Sequence, residues 1–198
     1  MSSTGLRIGL FGGAFDPVHI GHQRVVESFL NSNLIDELHL LPTPHPPHKN
    51  LPSSASFAQR YEMLRLAFSG YEQVVISDIE KKLPEPSYTL QTIEYLQKKH
   101  PDIIYFLCIG EDNLESFHKW FKYEKILMKV TLLVAARPGA NSHDQRSDIL
   151  ERAVFIDHNE LEISSTKIRT EENLEEILDL VPENVARYII EHNLYLNS

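Results

Sequence analysis

The sequence predicts an α/β fold in which a doubly wound parallel sheet carries helices on both faces. Short apolar or β-branched runs alternate with segments whose apolar residues recur at helical spacing, which is typical of βαβ units. The run 103–109 is apolar throughout, as expected for a strand buried on both faces. A chain of 198 residues suits one domain with a sizeable core, and we expect a single domain over 1–198.

The first half of the chain contains three strand–helix pairs. Runs of strand length predict strands at residues 6–11, 37–41 and 74–79. Helical spacing predicts helices at residues 19–30, 56–68 and 89–99. In the first of these helices Val25, Val26 and Phe29 fall on one face. The third ends at His100, because the following proline disfavours helical backbone in the residue before it.

The second half continues the alternation and then becomes helical. Further strands are predicted at residues 103–109, 130–136 and 153–156, and helices at 165–180 and 183–192. We therefore expect a Rossmann-like sheet followed by a C-terminal helical segment over 164–198. Ligands of such sheets bind at the carboxyl ends of the strands. The loops after strands one, two and four consequently become the first places to look for a site.

Charge and cysteine content exclude several classes of partner and compartment. The net charge of −9 argues against broad binding to nucleic acid or to an anionic membrane. Cys108, the single cysteine, lies in an apolar run and is expected to be a buried small hydrophobe. No stretch reaches the ~20 apolar residues of a membrane span, and the N-terminus lacks a signal-peptide pattern. We expect a cytoplasmic protein.

Residues 12–22, GGAFDPVHIGH, connect the first strand to the first helix. Gly12 and Gly13 let the backbone approach a ligand closely. His19 and His22 share one face at the start of the helix, where free N–H groups and the helix dipole favour anions. This pattern predicts a polyphosphate site. The motifs of dinucleotide-binding folds and P-loops are absent, and the alternatives are a zinc site or a purely structural turn.

Residues 163–169, ISSTKIR, lie between the last strand and the next helix. Ser164 or Ser165 is a natural helix N-cap. Hydroxyl groups together with Lys167 and Arg169 around a helix start predict a second anion site. An ordinary helix cap is the alternative.

The two motifs together resemble the signatures of the nucleotidyltransferase superfamily. His19-Ile20-Gly21-His22 resembles its H-x-G-H element, and ISSTKIR resembles its ISSTxIR element. The resemblance implies that the two motifs hold the ATP phosphates from opposite sides. It also implies that His19 and His22 stabilise the transition state.

Four further pairs or turns resemble bacterial nicotinate-nucleotide adenylyltransferases over nearly the whole chain. They are PPHK (46–49) with RYEML (60–64), SDIE (77–80) with PSYT (86–89), GEDN (110–113) with FHKW (117–120), and the turn VAARPG (134–139). Two positions depart from the family pattern. Ala14 replaces a usual Thr or Ser, and Glu111 replaces a usually small residue.

The resemblance implies adenylyl transfer from ATP to nicotinate mononucleotide, giving deamido-NAD and pyrophosphate, with Mg²⁺ entering on ATP and no metal held by protein ligands. The catalytic residues it implies are His19, His22, Lys49 and Arg169. The ATP-binding residues are Gly12, Gly13, Phe15, His19, His22, Gly110, Asp112, Ile163, Ser164, Ser165, Thr166 and Arg169. The mononucleotide-binding residues are Gly13, Ala14, Lys49, Tyr88, Thr89, Trp120 and Arg137. A homo-oligomer is compatible with the resemblance.

Several of these residues have simpler alternatives. Trp120 suits stacking on a pyridine ring but could equally be a core residue. Asp112 suits a ribose contact or the N-cap of a helix over 113–120. The proline-rich loop 42–56 carries Lys49, and we expect it to close over bound phosphates unless its prolines fix it. For the whole chain the alternatives are a nicotinamide-mononucleotide or pantetheine-phosphate adenylyltransferase, or a non-catalytic nucleotide sensor.

Overall fold

The computed structural model describes residues 5–44, 55–137, 146–159, 161–171 and 173–195. Within these ranges the chain forms a six-stranded parallel sheet with the strand order β3-β2-β1-β4-β5-β6. The strands are Arg7–Gly13 (β1), Glu37–Pro42 (β2), Val74–Ile76 (β3), Ile104–Gly110 (β4), Thr131–Ala136 (β5) and Ala153–Asp157 (β6). The predicted doubly wound parallel sheet is confirmed.

The helices alternate with the strands and then close the chain. They are Ile20–Asn31 (α1), Phe57–Ala67 (α2), Thr89–Lys99 (α3), Glu111–Ser116 (α4), Tyr123–Lys129 (α5), Ser147–Leu150 (α6), Ser165–Thr170 (α7), Leu174–Asp179 (α8) and Glu183–Glu191 (α9). Two single turns of 3₁₀ helix lie at Ile79–Lys82 and Phe117–Lys119.

Hydrophobic cores lie on both faces of the sheet, because successive residues of a strand point to opposite sides. In β5, Leu133 packs into one core with α1, α2 and the C-terminal helices, whereas Leu132 and Val134 pack into the other with α3 and α5. Cys108 is buried in the first core, as predicted, and burial raises the pKa of its thiol. Because helices cover both faces of the sheet, the central strands are continuous apolar runs in the sequence.

Several elements differ from the prediction. β3 ends at Ile76, because the chain turns there into the 3₁₀ helix that starts after Asp78. The helix predicted over 165–180 is interrupted: the backbone of Glu171 is extended, and the Asn173 side chain accepts a hydrogen bond from the Glu175 N–H to start α8. The short helices α5 and α6 were not predicted.

Strand β1 continues further than predicted, through both glycines. Gly12 pairs with Leu41, and Gly13 pairs with Pro42. The strand order reverses between β1 and β4, where the chain crosses from one half of the sheet to the other. Such a reversal leaves a crevice at the carboxyl ends of the two strands, which is where ligands of this fold class bind.

Candidate active site

A cleft of about 970 Å³ lies at this crevice. It is bounded by the end of β1, the start of α1, the β4–α4 turn and the segment that leads into α7. Most of the predicted ATP-binding residues line it together, namely Gly12, Gly13, Phe15, His19, His22, Gly110, Asp112, Ile163, Ser164, Ser165 and Thr166. Residues more than 150 positions apart in the sequence thus meet in one cavity. The volume of this cleft is typical of pockets that bind ligands the size of a nucleotide.

Two imidazoles stack at the first turn of α1. His19 is the N-cap, and its backbone N–H donates to Nδ1 of His22 at 3.2 Å. The ring centroids are 3.8 Å apart, and the His22 ring also packs against Phe15 at 5.0 Å. Gly21 leaves room for this stack, because a Cβ atom there would lie 3.0 Å from Nδ1 of His19. The histidine pair is therefore held in place by its own loop.

The His19 ring is buried and has an unused polar atom. It is 6% exposed, and its Nδ1 has no hydrogen-bond partner among the described residues. Burial lowers the pKa of His19 from 6.5 to about 4, so the free ring is neutral near pH 7. Buried polar atoms normally have partners, and an exception at a cleft wall is what a ligand-binding position looks like before the ligand arrives.

The first turn of α1 offers fewer free N–H groups than expected. The Ile20 N–H donates to the Leu180 carbonyl oxygen at 3.0 Å, so one of the helix-start donors is already used within the protein. The anion site predicted at this helix start therefore depends more on the imidazoles than on the backbone.

The second motif lines the same cleft as the first and is hydrogen-bonded to it. Ser164 caps α7 by accepting a hydrogen bond from the Lys167 N–H at 3.1 Å, which confirms the capping interpretation. The Ser165 hydroxyl donates to the Pro17 carbonyl oxygen at 3.0 Å. Lys167 is exposed and is not part of the cleft lining.

Arg169 lies behind the cleft wall rather than on it. Its guanidinium is buried, and Nη1 donates to the Asp16 carbonyl oxygen at 2.6 Å while Nη2 donates to the Thr166 hydroxyl at 3.1 Å. Its Nε has no hydrogen-bond partner among the described residues. A buried cation therefore lies against residues 14–19 between β1 and α1 (the histidine loop), where it favours a bound anion.

A second cavity of about 490 Å³ adjoins the cleft and shares Phe11, Gly12, Gly13 and Asn113 with it. Three predicted mononucleotide residues, Ala14, Thr89 and Trp120, line this second cavity along with Gly13. Trp120 is half-buried and packs against Phe117 with ring centroids 5.1 Å apart. It thus contacts the core with one part of the ring and the cavity with another, so both alternatives for Trp120 describe it in part.

The other predicted mononucleotide residues lie elsewhere. Tyr88 precedes α3 and stacks on Phe121 at 4.2 Å, outside the cavity lining. Arg137, at the end of β5, lines the larger cleft instead. Lys49, with most of the proline-rich loop, lies outside the described residues.

Asp112 occupies a different helical position from the predicted one. The helix begins at Glu111 with Gly110 as its N-cap, so Asp112 lies in the first turn of α4 and cannot be a cap for residues 113–120. That helix ends at Ser116, and Trp120 follows the 3₁₀ turn. The acidic side chains of Glu111 and Asp112 suit a helix start, because its dipole favours negative charge.

Two buried titratable residues of the cavities, Glu80 and His158, were missed by the sequence analysis. Glu80 lines the second cavity, where the Thr92 hydroxyl lies 3.4 Å from its carboxylate. His158 lines the larger cleft just beyond β6, with its Nδ1 3.0 Å from the Ser28 hydroxyl. A polar residue directly after a strand was the signal available for His158. Glu80 was noticed only as part of a family-like stretch.

Within the described part of the chain, no group of three or more His, Cys, Asp or Glu side chains is arranged to hold a metal ion. A search of the same residues finds no helix that is both long and apolar enough to cross a membrane.

Comparisons with known proteins agree with this geometry. A family described as cytidylyltransferase-like matches residues 10–171. The chain is 37% identical over 191 residues to a Flavobacterium psychrophilum protein named "probable nicotinate-nucleotide adenylyltransferase", covering 96% of this chain and 99% of the relative. It is 39% identical over 192 residues to a Thermotoga maritima protein of the same name, covering 94% and 92%.

The fold is similar to a solved structure of Plasmodium falciparum nicotinic acid mononucleotide adenylyltransferase complexed with NaAD. The TM-score is 0.78 at 21% identity, and the match covers 96% of this chain and 97% of that one. At this identity the likeness concerns the fold.

Proposed function

Because the chain belongs to the nicotinate-nucleotide adenylyltransferases of the cytidylyltransferase-like family, we propose that it transfers the adenylyl group of ATP to nicotinate mononucleotide. The products are deamido-NAD (nicotinate adenine dinucleotide) and pyrophosphate, so the enzyme acts in NAD biosynthesis. One observation carries the proposal. The motifs at 12–22 and 163–169 line one nucleotide-sized cleft together, and that cleft adjoins a second cavity across Gly12 and Gly13.

The larger cleft takes ATP and the adjoining cavity takes the mononucleotide. A phosphate oxygen of the mononucleotide attacks the α-phosphorus of ATP in line. A new P–O bond forms to that oxygen, and the bond from the α-phosphorus to the oxygen bridging to the β-phosphate breaks, releasing pyrophosphate. The attacking oxygen is already ionised, so the step needs no general base. Catalysis then consists of positioning and stabilisation of charge.

His19 and His22 donate hydrogen bonds to the phosphates from one side of the cleft. The neutral His19 ring carries a single proton, and its unpaired Nδ1 lies at a buried position where a phosphate oxygen supplies a partner. A phosphate nearby favours protonation of the ring, since an opposite charge stabilises the imidazolium. The neutral His19 ring then donates its one N–H to a phosphate oxygen as negative charge builds up on the leaving group.

The remaining binding roles follow from which residues line each cavity. For ATP they are Gly12, Gly13, Phe15, Gly110, Asp112, Ile163, Ser164, Ser165 and Thr166, with Arg169 beneath the phosphates. For the mononucleotide they are Gly13, Ala14, Thr89 and Trp120, with Tyr88 next to the helix start and Arg137 on the ATP side as a phosphate contact. Lys49 as a mobile phosphate contact stays a prediction.

We further propose that Mg²⁺ enters on the ATP phosphates, since it keeps several waters and usually binds through substrate phosphate oxygens. A single domain, a cytoplasmic location and a homo-oligomeric assembly also stay predictions. Limited proteolysis, localisation of the tagged protein and light scattering of the purified protein test these three in turn.

The decisive experiment is pyrophosphate release from ATP and Mg²⁺ with a panel of acceptors. Nicotinate mononucleotide should react faster than nicotinamide mononucleotide, and phosphopantetheine should not react. Equal or reversed preference between the two mononucleotides would refute the acid assignment while leaving the nucleotidyltransferase chemistry intact. Tight binding of ATP without pyrophosphate release from any acceptor would favour the sensor alternative.

A further inference from the structure

The last described residue of the chain lies directly under the histidine loop. Tyr195 is 5% exposed, and its ring belongs to the core beside α1 and α9. Its hydroxyl donates to Oδ1 of Asp16 at 2.6 Å, a contact across 179 positions of sequence. Burial and the neighbouring carboxylate raise the pKa of Tyr195, so the phenol keeps its proton and stays a donor.

Asp16 joins three separate parts of the protein. Besides the Tyr195 hydroxyl, its Oδ1 accepts the Ala55 N–H at 3.1 Å, just before α2. Its backbone carbonyl oxygen accepts a hydrogen bond from Nη1 of Arg169 at 2.6 Å. The residue is 1% exposed, so these contacts form in an environment that excludes water. Its position therefore sets where Arg169 points and where the histidine loop begins.

A second arginine fixes the other side of the same loop. Nη1 of Arg60 donates to the Ala14 carbonyl oxygen at 2.6 Å, and Nη2 donates to the Thr43 carbonyl oxygen at 2.9 Å. The loop is thus held by Arg60 at Ala14 and by Tyr195 and Arg169 at Asp16. Of these three side chains, Tyr195 is the one without charge, and it is also the furthest along the chain.

We propose that Tyr195 is a positioning residue for adenylyl transfer, which acts through Asp16 on Arg169. This inference rests on the proposed function. Without the hydroxyl, the Ala55 N–H is the one donor to Oδ1 of Asp16 that remains among the described residues, and a buried acceptor that loses a partner shifts toward another donor. Such a shift moves the Asp16 backbone carbonyl and with it the guanidinium of Arg169. A small displacement of a phosphate-binding group is enough to slow an in-line transfer.

The test is Tyr195→Phe, which removes one oxygen and keeps the ring in the core. Tyr71→Phe is the matched control, since the Tyr71 hydroxyl donates to Glu27 at 2.8 Å outside both cavities. Both variants lose a phenol–carboxylate hydrogen bond, and kcat and KM are compared at a temperature where both retain native circular dichroism. We expect Y195F to lose roughly 10- to 100-fold in kcat, with KM for both substrates within about threefold of wild type. Y71F should keep wild-type kinetics.

A double variant identifies the route of the effect. In the Arg169→Ala background, Y195F should lower kcat by less than about twofold, because the group it orients is already missing. Wild-type kcat in Y195F, an equal kcat loss in Y71F, or a full additional loss in the Arg169→Ala background would each overturn the inference. A wild-type protein that transfers no adenylyl group would overturn the proposed function as well, and the two failures are thereby distinguished.

Discussion

Glu80 provides the sharpest test of the electrostatics at the mononucleotide cavity. The side chain is 8% exposed, and burial raises its pKa from 4.5 to about 7, which outweighs the hydrogen bonds from Thr92 and Thr43. The folded protein therefore holds a proton on Glu80 between these two pH values, whereas the unfolded chain has released it. Replacing Glu80 with glutamine removes this titration and keeps nearly the same shape.

The sign of the effect follows from proton counting. Where the folded state binds more protons than the unfolded state, the free energy of unfolding falls as pH rises. The contribution of Glu80 is therefore fully present below pH 4.5 and is lost as pH rises through about 7. The two pKa values differ by about 2.5, which corresponds to about 3 kcal/mol as an upper limit. For a chain of this size that is roughly 5–10 °C in melting temperature.

The assay is thermal unfolding of wild type and E80Q from pH 5 to pH 9. The melting temperature of wild type should fall relative to E80Q as pH rises, and E80Q should be the more stable protein at pH 8 or above. Glu72→Gln, at an exposed glutamate, is the matched control and should follow wild type. Parallel curves for wild type and E80Q would refute a buried, protonated Glu80.

The same titration should affect substrate binding. An ionised Glu80 in the second cavity repels the carboxylate of nicotinate mononucleotide, so its KM should rise between pH 6 and pH 8 in wild type. In E80Q this rise should be much smaller. Nicotinamide mononucleotide, which carries a neutral amide in place of the carboxylate, serves as the internal comparison, and its binding should depend less on Glu80 at any pH.

Three further predictions concern the two histidines of the cleft, Trp120 of the second cavity and the proline-rich loop. His19→Ala or His22→Ala should lower kcat by roughly 10²–10³ with a much smaller change in KM for the mononucleotide. His39→Ala, on β2 outside both cavities, is the control. Near-full activity of both site variants would contradict the phosphate-binding role of the two histidines. Trp120→Ala should weaken mononucleotide binding by ~1–3 kcal/mol and leave ATP binding nearly unchanged, as measured by calorimetry on a folded variant. Hydrogen exchange across residues 43–56 should slow when the dinucleotide product binds, if Lys49 closes over the phosphates; identical exchange with and without product contradicts that closure.

Most of the architecture could be predicted from local sequence patterns, because this fold is built from repeated βαβ units. Helix α3 begins and ends where the sequence predicted, since a capping position opens it and Pro101 follows it. The break between α7 and α8 was missed because no glycine or proline marks it in the sequence. Only the extended backbone at Glu171 and the Asn173 cap reveal it, and both depend on how the segment packs.

The motifs at 12–22 and 163–169 could be found in the sequence because each is a contiguous segment. Glu80, His158 and Tyr195 could not, since their significance comes from burial and from partners far away along the chain. A tyrosine near the end of a chain carries no local sign that it contacts residue 16. Arg137 illustrates the same limit, because the resemblance implied a contact without indicating which of two adjoining cavities it would line.

The bonds from Ser165 to Pro17 and from Arg169 to Asp16 also bear on how the protein is made. The first wall of the cleft, residues 12–22, leaves the ribosome early in synthesis. The second wall, residues 163–169, leaves it only near the end. A nascent chain can contain all six strands, the last of which ends at Asp157, while it still lacks the segment that completes the cleft. Chains that stall or are cut before residue 163 would therefore lack the second wall of the cleft, and under the proposed function they should not bind ATP tightly.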